Sequence, residues 1–265
     1  MEDLIVKTIK GPNDSEVSFC PKRGGMITSL KLNGKEILYF DEETFKNKNE
    51  AVRGGIPILF PNGGELEKNS LYPNLKRHGF ARNEEWQFEK GESNFKEILN
   101  STNETRQVFP YDFILSLIGE FEEDGSFTLK QEVKNMEKEK EMPISMGFHP
   151  YFSVPNIKKG YIKFDFKGGK EIEKQIVVWG NGGTVYIDNP KINDPDIDIK
   201  VDIPEVGIIT ITISNSYQNL WVWSIPGKNF ICIEPMMRGL NGLMDEPLMI
   251  KPMGTFKASI NFKLK

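Results

Sequence analysis

The chain contains two histidines, and both lie in short segments rich in glycine and aromatic residues. His149 lies in the segment GFHPYF at 147–152, and His78 lies in RHGFAR at 77–82. Histidine suits proton transfer because its ordinary pKa lies close to neutral pH. Pro150 favours an extended backbone at His149, which limits the directions in which the ring can point. Each histidine is a candidate proton carrier, and a histidine packed among aromatic residues is the competing interpretation.

A candidate partner for the histidines is Glu234, in the segment ICIEP at 231–235. An acidic residue at the end of an apolar strand is costly to bury unless it is paired or hydrogen-bonded. If it is desolvated, its pKa rises toward the range useful for a general base. A strand-end glutamate that faces water is the alternative. An imidazole and a carboxylate that meet in space would form an acid–base pair.

The charge balance and the apolar runs limit the partners that the protein can have. The 265 residues include 34 basic and 38 acidic side chains, a net charge of −4. Nucleic acids and anionic membranes both favour a basic surface, so we expect neither as a partner. The N-terminus has no apolar run of signal-peptide length, and no run approaches the roughly 20 residues that span a bilayer. We expect a cytoplasmic protein in which Cys20 and Cys232 are free thiols.

Other catalytic and metal-binding patterns match the sequence poorly. Two histidines and two distant cysteines lack the spacing of a zinc site, and no G-x-S-x-G or Walker A motif occurs. Aspartates at 194, 196 and 198 resemble a calcium loop, but Ile199 stands where that loop needs glycine, and Pro195 interrupts it. Alternation through 197–203 instead indicates an amphipathic strand. We therefore expect no metal site.

Strand patterns dominate the elements that must position these residues. Apolar and polar residues alternate over many short segments that are separated by turn residues. The clearest strands are at 113–120, 206–214, 219–224 and 255–264. Asn33-Gly34 predicts a two-residue hairpin turn, and no helical period extends over ten or more residues. The pattern predicts one all-β domain over 1–265, a large antiparallel β-sandwich with few short helices.

Four motifs follow one another along the chain. They are RGGIPILFP at 53–61, HGFAR at 78–82, FHPYF at 148–152 and IEP at 233–235. In this order they resemble the motifs of galactose mutarotase-like proteins, which include the aldose 1-epimerases and the hexose-6-phosphate 1-epimerases. The match spans most of the chain. The fold of that family is a large antiparallel β-sandwich, which agrees with the strand pattern.

The resemblance implies roles for four residues. The family's catalytic histidine falls on His149, which would protonate the ring oxygen of a sugar. Its catalytic glutamate falls on Glu234, which would take the proton of the C1 hydroxyl. The ring would open, rotate about C1–C2 and reclose, so no cofactor is needed. His78 would hydrogen-bond the sugar near its ring oxygen and Arg53 would contact it, so an aldose 1-epimerase acting on a free hexose is the leading hypothesis.

The identity of the sugar is left open by two features. Arg82, together with Arg53, resembles the arginine pair that holds phosphate in the sugar-phosphate branch, and arginine binds phosphate through paired hydrogen bonds. A hexose-6-phosphate 1-epimerase is therefore an alternative, and a carbohydrate-binding protein without turnover is another. Many family members also carry a sugar-binding aspartate two or three residues before a tyrosine. This chain has Gly183 and Thr184 at those positions before Tyr186.

Aromatic residues near the motifs are candidates to lie against the apolar face of a sugar. Phe80, Tyr151 and Trp223 are the residues that we expect in this position. For Trp221 and Trp223, which belong to the strand predicted at 219–224, packing in the core is the favoured interpretation.

Overall fold

The computed structural model describes residues 4–67, 71–178, 183–188 and 196–265. Its strands, numbered along the chain, are β1 (Lys7–Lys10), β2 (Glu16–Cys20), β3 (Met26–Leu32), β4 (Lys35–Glu36), β5 (Ile58–Leu59), β6 (Gln87–Lys90), β7 (Asn94–Asn100), β8 (Phe113–Phe121), β9 (Phe127–Asn135), β10 (Met142–Ile144), β11 (Gly147–Phe148), β12 (Tyr151–Ser153), β13 (Lys163–Asp165), β14 (Gly183–Asp188), β15 (Asp196–Ile203), β16 (Gly207–Ser214), β17 (Asn219–Ser224), β18 (Phe230–Met236), β19 (Leu248–Ile250) and β20 (Thr255–Leu264). The α-helices are α1 (Glu42–Lys46), α2 (Asn103–Val108), α3 (Gly169–Val178) and α4 (Gly242–Asp245), and 3-10 turns occur at Pro21–Arg23, Ala81–Asn83 and Asn156–Tyr161.

Two large antiparallel sheets organise the molecule. One has eight strands in the order β13-β15-β16-β20-β9-β8-β7-β6. In the other, β14-β17-β18-β11-β5 lie side by side and β12 also pairs with β18. A meander of β1 to β4 and the β10–β19 pair complete the sheets of the described ranges. The predicted all-β fold, a large antiparallel β-sandwich with few short helices, is confirmed.

The alternation seen in the sequence is the alternation of burial in the strands. In β15, residues at 197, 199, 201 and 203 are buried and those at 198, 200 and 202 are exposed, so a strand and not a calcium loop occupies this segment. Residues 194 and 195 lie outside the described residues. The β3–β4 turn has positive φ at Asn33 and Gly34, 52° and 75°, as a two-residue hairpin of this type requires.

The helix α3 contradicts the sequence analysis, which found no helical period over ten residues. It runs for ten residues and packs against β13 and β14. Ile172 and Ile176, four residues apart, are buried on one face, which is the helical spacing. Charged and polar residues fill most of its other positions, so the helical spacing of apolar residues is weak in the sequence.

Apolar side chains from both large sheets belong to the same hydrophobic core. Phe152 of β12 meets Phe262 of β20 edge-on, with ring centroids 6.1 Å apart, and this contact joins the two layers. None of the helices in the described ranges is long and apolar enough to cross a bilayer. The core thus fixes the six-stranded sheet against the larger one and leaves its other face available for a site.

One carboxyl group interrupts this core. Glu97 lies on the buried face of β7, between Phe95 and Leu99, and neither of its oxygens has a hydrogen-bond partner in the described chain. Burial raises the pKa of Glu97 well above the ordinary value of 4.5. An unpartnered polar group in a core costs about 1–3 kcal/mol.

Replacing Glu97 by methionine, which has a similar shape, is therefore expected to raise the free energy of unfolding by about 1–3 kcal/mol. Because the folded state raises this pKa, the parent protein loses stability as pH rises from 4.5 through the folded-state value. The gain should be larger at pH 8 than at pH 4.5 in urea unfolding. Glu89→Met, on the exposed strand β6, is the control. A gain that does not change with pH would contradict the assignment.

Candidate functional site

The five residues singled out by the motifs line one cleft with a volume of about 400 Å³. They are Arg53, His78, Arg82, His149 and Glu234. Arg53 and His78 lie in the loops before and after β5, and Arg82 lies in the 3-10 turn Ala81–Asn83. His149 lies between β11 and β12, and Glu234 lies within β18. The cleft therefore lies over the six-stranded sheet, where residues far apart along the chain meet.

The pairing of strands places His149 across from Glu234. β18 pairs with β11 just before His149 and with β12 just after it, in one continuous register. Residues opposite each other on neighbouring strands point to the same face of the sheet. The Nε2 atom of His149 lies 3.4 Å from the Oε1 atom of Glu234. The two groups are close enough to act on one small molecule.

Both members of the pair are buried, with exposed fractions of 6% for His149 and 3% for Glu234. Burial raises the pKa of Glu234 to about 8, and the guanidiniums of Arg77 and Arg82 oppose this rise. Burial, followed by the charges of His78 and Arg82, lowers the pKa of His149 well below its ordinary value. Neighbouring groups of this kind titrate together. At neutral pH the pair holds one proton.

His78 is held by an unusual backbone conformation. Its φ is 69°, and a positive φ is uncommon outside glycine. The next residue must be glycine, because a Cβ on Gly79 would lie 1.9 Å from the Phe60 carbonyl oxygen. The Nδ1 atom of His78 lies 2.5 Å from the Gly63 carbonyl oxygen, which can only accept, so Nδ1 carries the proton. Burial and Arg82 lower the pKa of His78 to about 3, and the ring is neutral.

Three arginines line the cleft, one more than the motifs suggested. Arg53 and Arg82 were predicted, whereas Arg77 was missed although it directly precedes His78. The buried Nε of Arg82 has no hydrogen-bond partner within the described ranges, so this guanidinium has an unused donor. Glu50 also lines the cleft. The three guanidiniums concentrate positive charge in a chain whose net charge is −4.

Aromatic rings stand beside the acid–base pair. The Tyr151 ring stacks on His149 with centroids 4.7 Å apart, and Trp223 meets the His149 ring edge-on at 5.8 Å. Trp221, on β17, pairs with Glu234 and also lines the cleft. The interpretation of the two tryptophans as core residues is therefore incomplete, since Trp221 is buried but both line the cleft.

Phe80 lies in the core and is not among the cleft-lining residues of the described chain. Its ring meets Phe60 edge-on at 5.9 Å and lies 5.9 Å from Phe113. The turn at His78-Gly79 directs the next side chain into the core, so the suggestion that Phe80 covers a sugar is wrong.

Of the two positions at which the resemblance leads us to look for a sugar-binding aspartate, Thr184 lines the cleft, and Gly183 is not among the lining residues of the described ranges. Thr184 and Tyr186 of β14 both line the cleft, and each carries a hydroxyl group. Among the residues described, the carboxylates that line the cleft are Glu50 and Glu234.

Cys232 brings a third potential metal ligand near the pair. A nitrogen of His149, the sulfur of Cys232 and an oxygen of Glu234 lie within 4.8 Å of one another. Burial and the nearby Glu234 raise the pKa of the Cys232 thiol well above its ordinary value. Because metals bind the thiolate, this environment favours a neutral thiol that packs against Tyr151 and Phe230. Cys232 and Cys20 are both buried free thiols.

Comparisons with known proteins agree with this geometry. A protein of Cenchrus ciliaris named "Putative glucose-6-phosphate 1-epimerase" is 28% identical, covering 86% of this chain and 75% of its own length. The crystal structure of the Slr1438 protein from Synechocystis sp. PCC 6803 superposes with a TM-score of 0.78 at 26% identity, over 99% of this chain and 96% of that one. A galactose mutarotase-like protein from Clostridium acetobutylicum has the same fold, with a TM-score of 0.75 at 20% identity and 99% coverage of both chains. The family model described as aldose 1-epimerase matches residues 7–237, and the chain therefore belongs to the aldose 1-epimerase family of isomerases.

Proposed function

We propose that this protein interconverts the α and β anomers of a hexose, with His149 and Glu234 exchanging protons with one sugar ring. The observation that carries the proposal is the 3.4 Å separation of Nε2 and Oε1 in a cleft of about 400 Å³. The ring oxygen and the C1 hydroxyl of a cyclic hexose are bonded to the same carbon, so the groups that serve them must also be neighbours. An acid and a base held side by side meet that requirement.

Ring opening needs two proton transfers. His149 gives a proton to the ring oxygen while Glu234 accepts the proton of the C1 hydroxyl, and the bond between C1 and the ring oxygen breaks to give the aldehyde. After rotation about C1–C2, ring closure reverses both transfers, so each group ends as it began. The cycle needs one proton on the pair, with Glu234 as the carboxylate before opening. Burial favours the proton on Glu234, and the guanidiniums of Arg77 and Arg82 oppose that effect, so the proton must move to His149 before the ring opens.

Two further features support a sugar as the substrate. The neutral His78 ring lies 5.4 Å from the ring of His149, and its unprotonated Nε2 can accept a hydrogen bond from a sugar hydroxyl. Tyr151 and Trp223 offer an apolar surface to the C–H face of a pyranose. The cleft thus offers both polar groups and aromatic rings, which suits a pyranose that has hydroxyl groups and an apolar C–H face.

Polarimetry of freshly dissolved α-D-glucose and α-D-galactose tests the proposal. The protein should shorten the approach to the equilibrium rotation of at least one sugar in proportion to its concentration. Calorimetric binding of sugars with relaxation no faster than in buffer would favour the alternative of a binding protein without turnover.

The paired titration predicts a pH optimum. The pKa of Glu234 is raised to about 8, so the pair loses its one proton as pH rises through this value. We expect kcat/KM to fall there because no acid remains to protonate the ring oxygen. Below the ordinary range of histidine, the pair takes a second proton and the base is lost. The test is kcat/KM from pH 5 to 10 after subtraction of the buffer rate. A rate that keeps rising beyond pH 9 would contradict the shared-proton account.

A hexose 6-phosphate is the second candidate substrate, and the three cleft arginines favour it. Arginine binds phosphate through paired, charge-assisted hydrogen bonds, and Arg53, Arg77 and Arg82 all line the cleft. The relative from Cenchrus ciliaris is named as a glucose-6-phosphate 1-epimerase. Parallel rates on glucose and glucose 6-phosphate decide between the two substrates.

A further inference from the structure

Arg23 is a buried arginine outside the cleft, with an exposed fraction of 4%. Its guanidinium donates to four main-chain carbonyl oxygens. Nε bonds to Phe45 at 3.1 Å, and Nη2 bonds to Thr44, Asn47 and Glu50 at 3.2, 2.9 and 2.8 Å. These carbonyls belong to the end of α1 and to the loop after it. A single side chain is therefore hydrogen-bonded to main-chain carbonyls along the whole segment 44–50.

This segment leads directly into one wall of the cleft. Residues 50–53 line the cleft, and the Glu50 carbonyl is itself bound by Arg23. The main-chain N–H of Arg53 donates to the Thr44 hydroxyl at 3.0 Å, and the Arg53 carbonyl accepts from the N–H of Asp41 at 3.0 Å. The place of Arg53 thus depends on a loop whose carbonyl groups converge on Arg23.

The next residue, Gly24, touches the loop that carries a second cleft arginine. Its φ is 75°, and a Cβ there would lie 2.1 Å from the Arg82 carbonyl oxygen. The N–H of Gly24 donates to the Glu84 carbonyl at 3.0 Å. Arg23 and Gly24 therefore form a junction between the loop of Arg53 and the loop of Arg82.

We propose that Arg23 is a positioning residue for substrate binding, which sets the place of Arg53 at the cleft through the segment 44–50. The inference rests on the proposed function, because it assigns Arg53 to the substrate. Glu234 lies within β18, and His149 lies between β11 and β12, the two strands that pair with it, so neither residue belongs to the segment 44–50. Loss of Arg23 should therefore weaken substrate binding more than it slows the chemical step.

The kinetic test compares Arg23→Met and Arg23→Lys with the parent protein. Arg23→Met is expected to raise KM about tenfold with kcat within about twofold, which is the pattern of lost uniform binding. Arg23→Lys, which keeps a donor and the charge, should fall between the two. Arg238→Met removes a guanidinium that also donates to main-chain carbonyls, those of Glu246 and Met237, and should leave KM unchanged. A fall in kcat at constant KM in both Arg23 variants indicates only less folded protein and would overturn the proposal.

A double variant tests whether Arg23 acts through Arg53. Arg53→Ala alone should raise KM, and adding Arg23→Met to it should raise KM little further, since coupled residues are not additive. Independent, multiplied effects would contradict the proposed route. If Arg23→Met does not fold, Arg23→Lys takes its place in this cycle.

Hydrogen exchange separates this inference from the proposed function. In Arg23→Met and Arg23→Lys, amides of residues 44–53 should exchange faster than in the parent, and those of β17 and β18 should not change. If the variants exchange faster at 44–53 but the parent protein relaxes no sugar, the enzymatic proposal fails and the structural role of Arg23 in holding this segment stands. Unchanged exchange at 44–53 together with an unchanged KM would overturn the role of Arg23.

Discussion

Glu234→Gln is expected to slow catalysed anomer interconversion by about 10²–10⁴-fold, the contribution of one positioned acid or base. Glutamine keeps the size of the side chain and removes the proton acceptor for the C1 hydroxyl. His149→Ala removes the partner that serves the ring oxygen, and a loss of similar size is expected. Both side chains are buried, so a packing defect would also lower the rate. The stability of each variant is therefore measured together with its activity.

The measurement is initial polarimetric relaxation of a fresh α-anomer, with thermal unfolding of each variant alongside. The matched control is Glu132→Gln, which removes a surface ion pair with Lys257. Both residues lie on the eight-stranded sheet, away from the catalytic pair, and this variant should keep the parent rate. If Glu234→Gln and His149→Ala relaxed the sugar as fast as the parent, the roles given to these residues would be wrong.

Arg82→Ala is expected to lower kcat/KM for glucose 6-phosphate about 10–100-fold more than for glucose, as a result of losing charge-assisted hydrogen bonds to phosphate. Some loss should be common to both sugars, because Arg82 also acts on the pKa values of His149 and Glu234. The ratio of the two specificity constants is therefore the readout.

Arg82→Lys provides the control for that charge effect. Lysine keeps the positive charge but cannot make the paired hydrogen bonds of a guanidinium, so rates on glucose should recover while the preference for the phosphate sugar stays reduced. An Arg82→Ala variant with an unchanged ratio would exclude phosphate binding by this residue and leave the free hexose as the substrate.

Long strands were predictable because each is a run of strand-forming residues bounded by turn residues, a pattern that is visible in the local sequence. β17 and β20 have the bounds predicted from the sequence, 219–224 and 255–264. The short strands β5 and β11 were not, since two residues carry no period and exist only through pairing with distant strands. The helix α3 was missed because its buried face consists of few apolar residues among charged ones.

The residues of the site also divide into those that the sequence predicted and those that only the fold reveals. His78, Arg53 and Arg82 were placed by motifs that stay together along the chain, and the cleft brings them to His149 and Glu234. Trp221 and Trp223 reach the cleft because β17 pairs with β18 in a particular register, which no local pattern reveals. The carbonyl-binding role of Arg23 likewise depends on contacts made more than twenty residues away.

Exchange spectroscopy at equilibrium tests the central claim most directly. With glucose labelled at C1, the protein should produce cross-peaks between the α and β carbon signals, whose build-up gives the catalysed rate without any net reaction. We predict that His149→Ala, Glu234→Gln and the double variant all fall to nearly the same low rate, because two residues that act as a unit are not additive. Exchange in the double variant at the parent rate would contradict an imidazole and a carboxylate sharing one proton across a sugar.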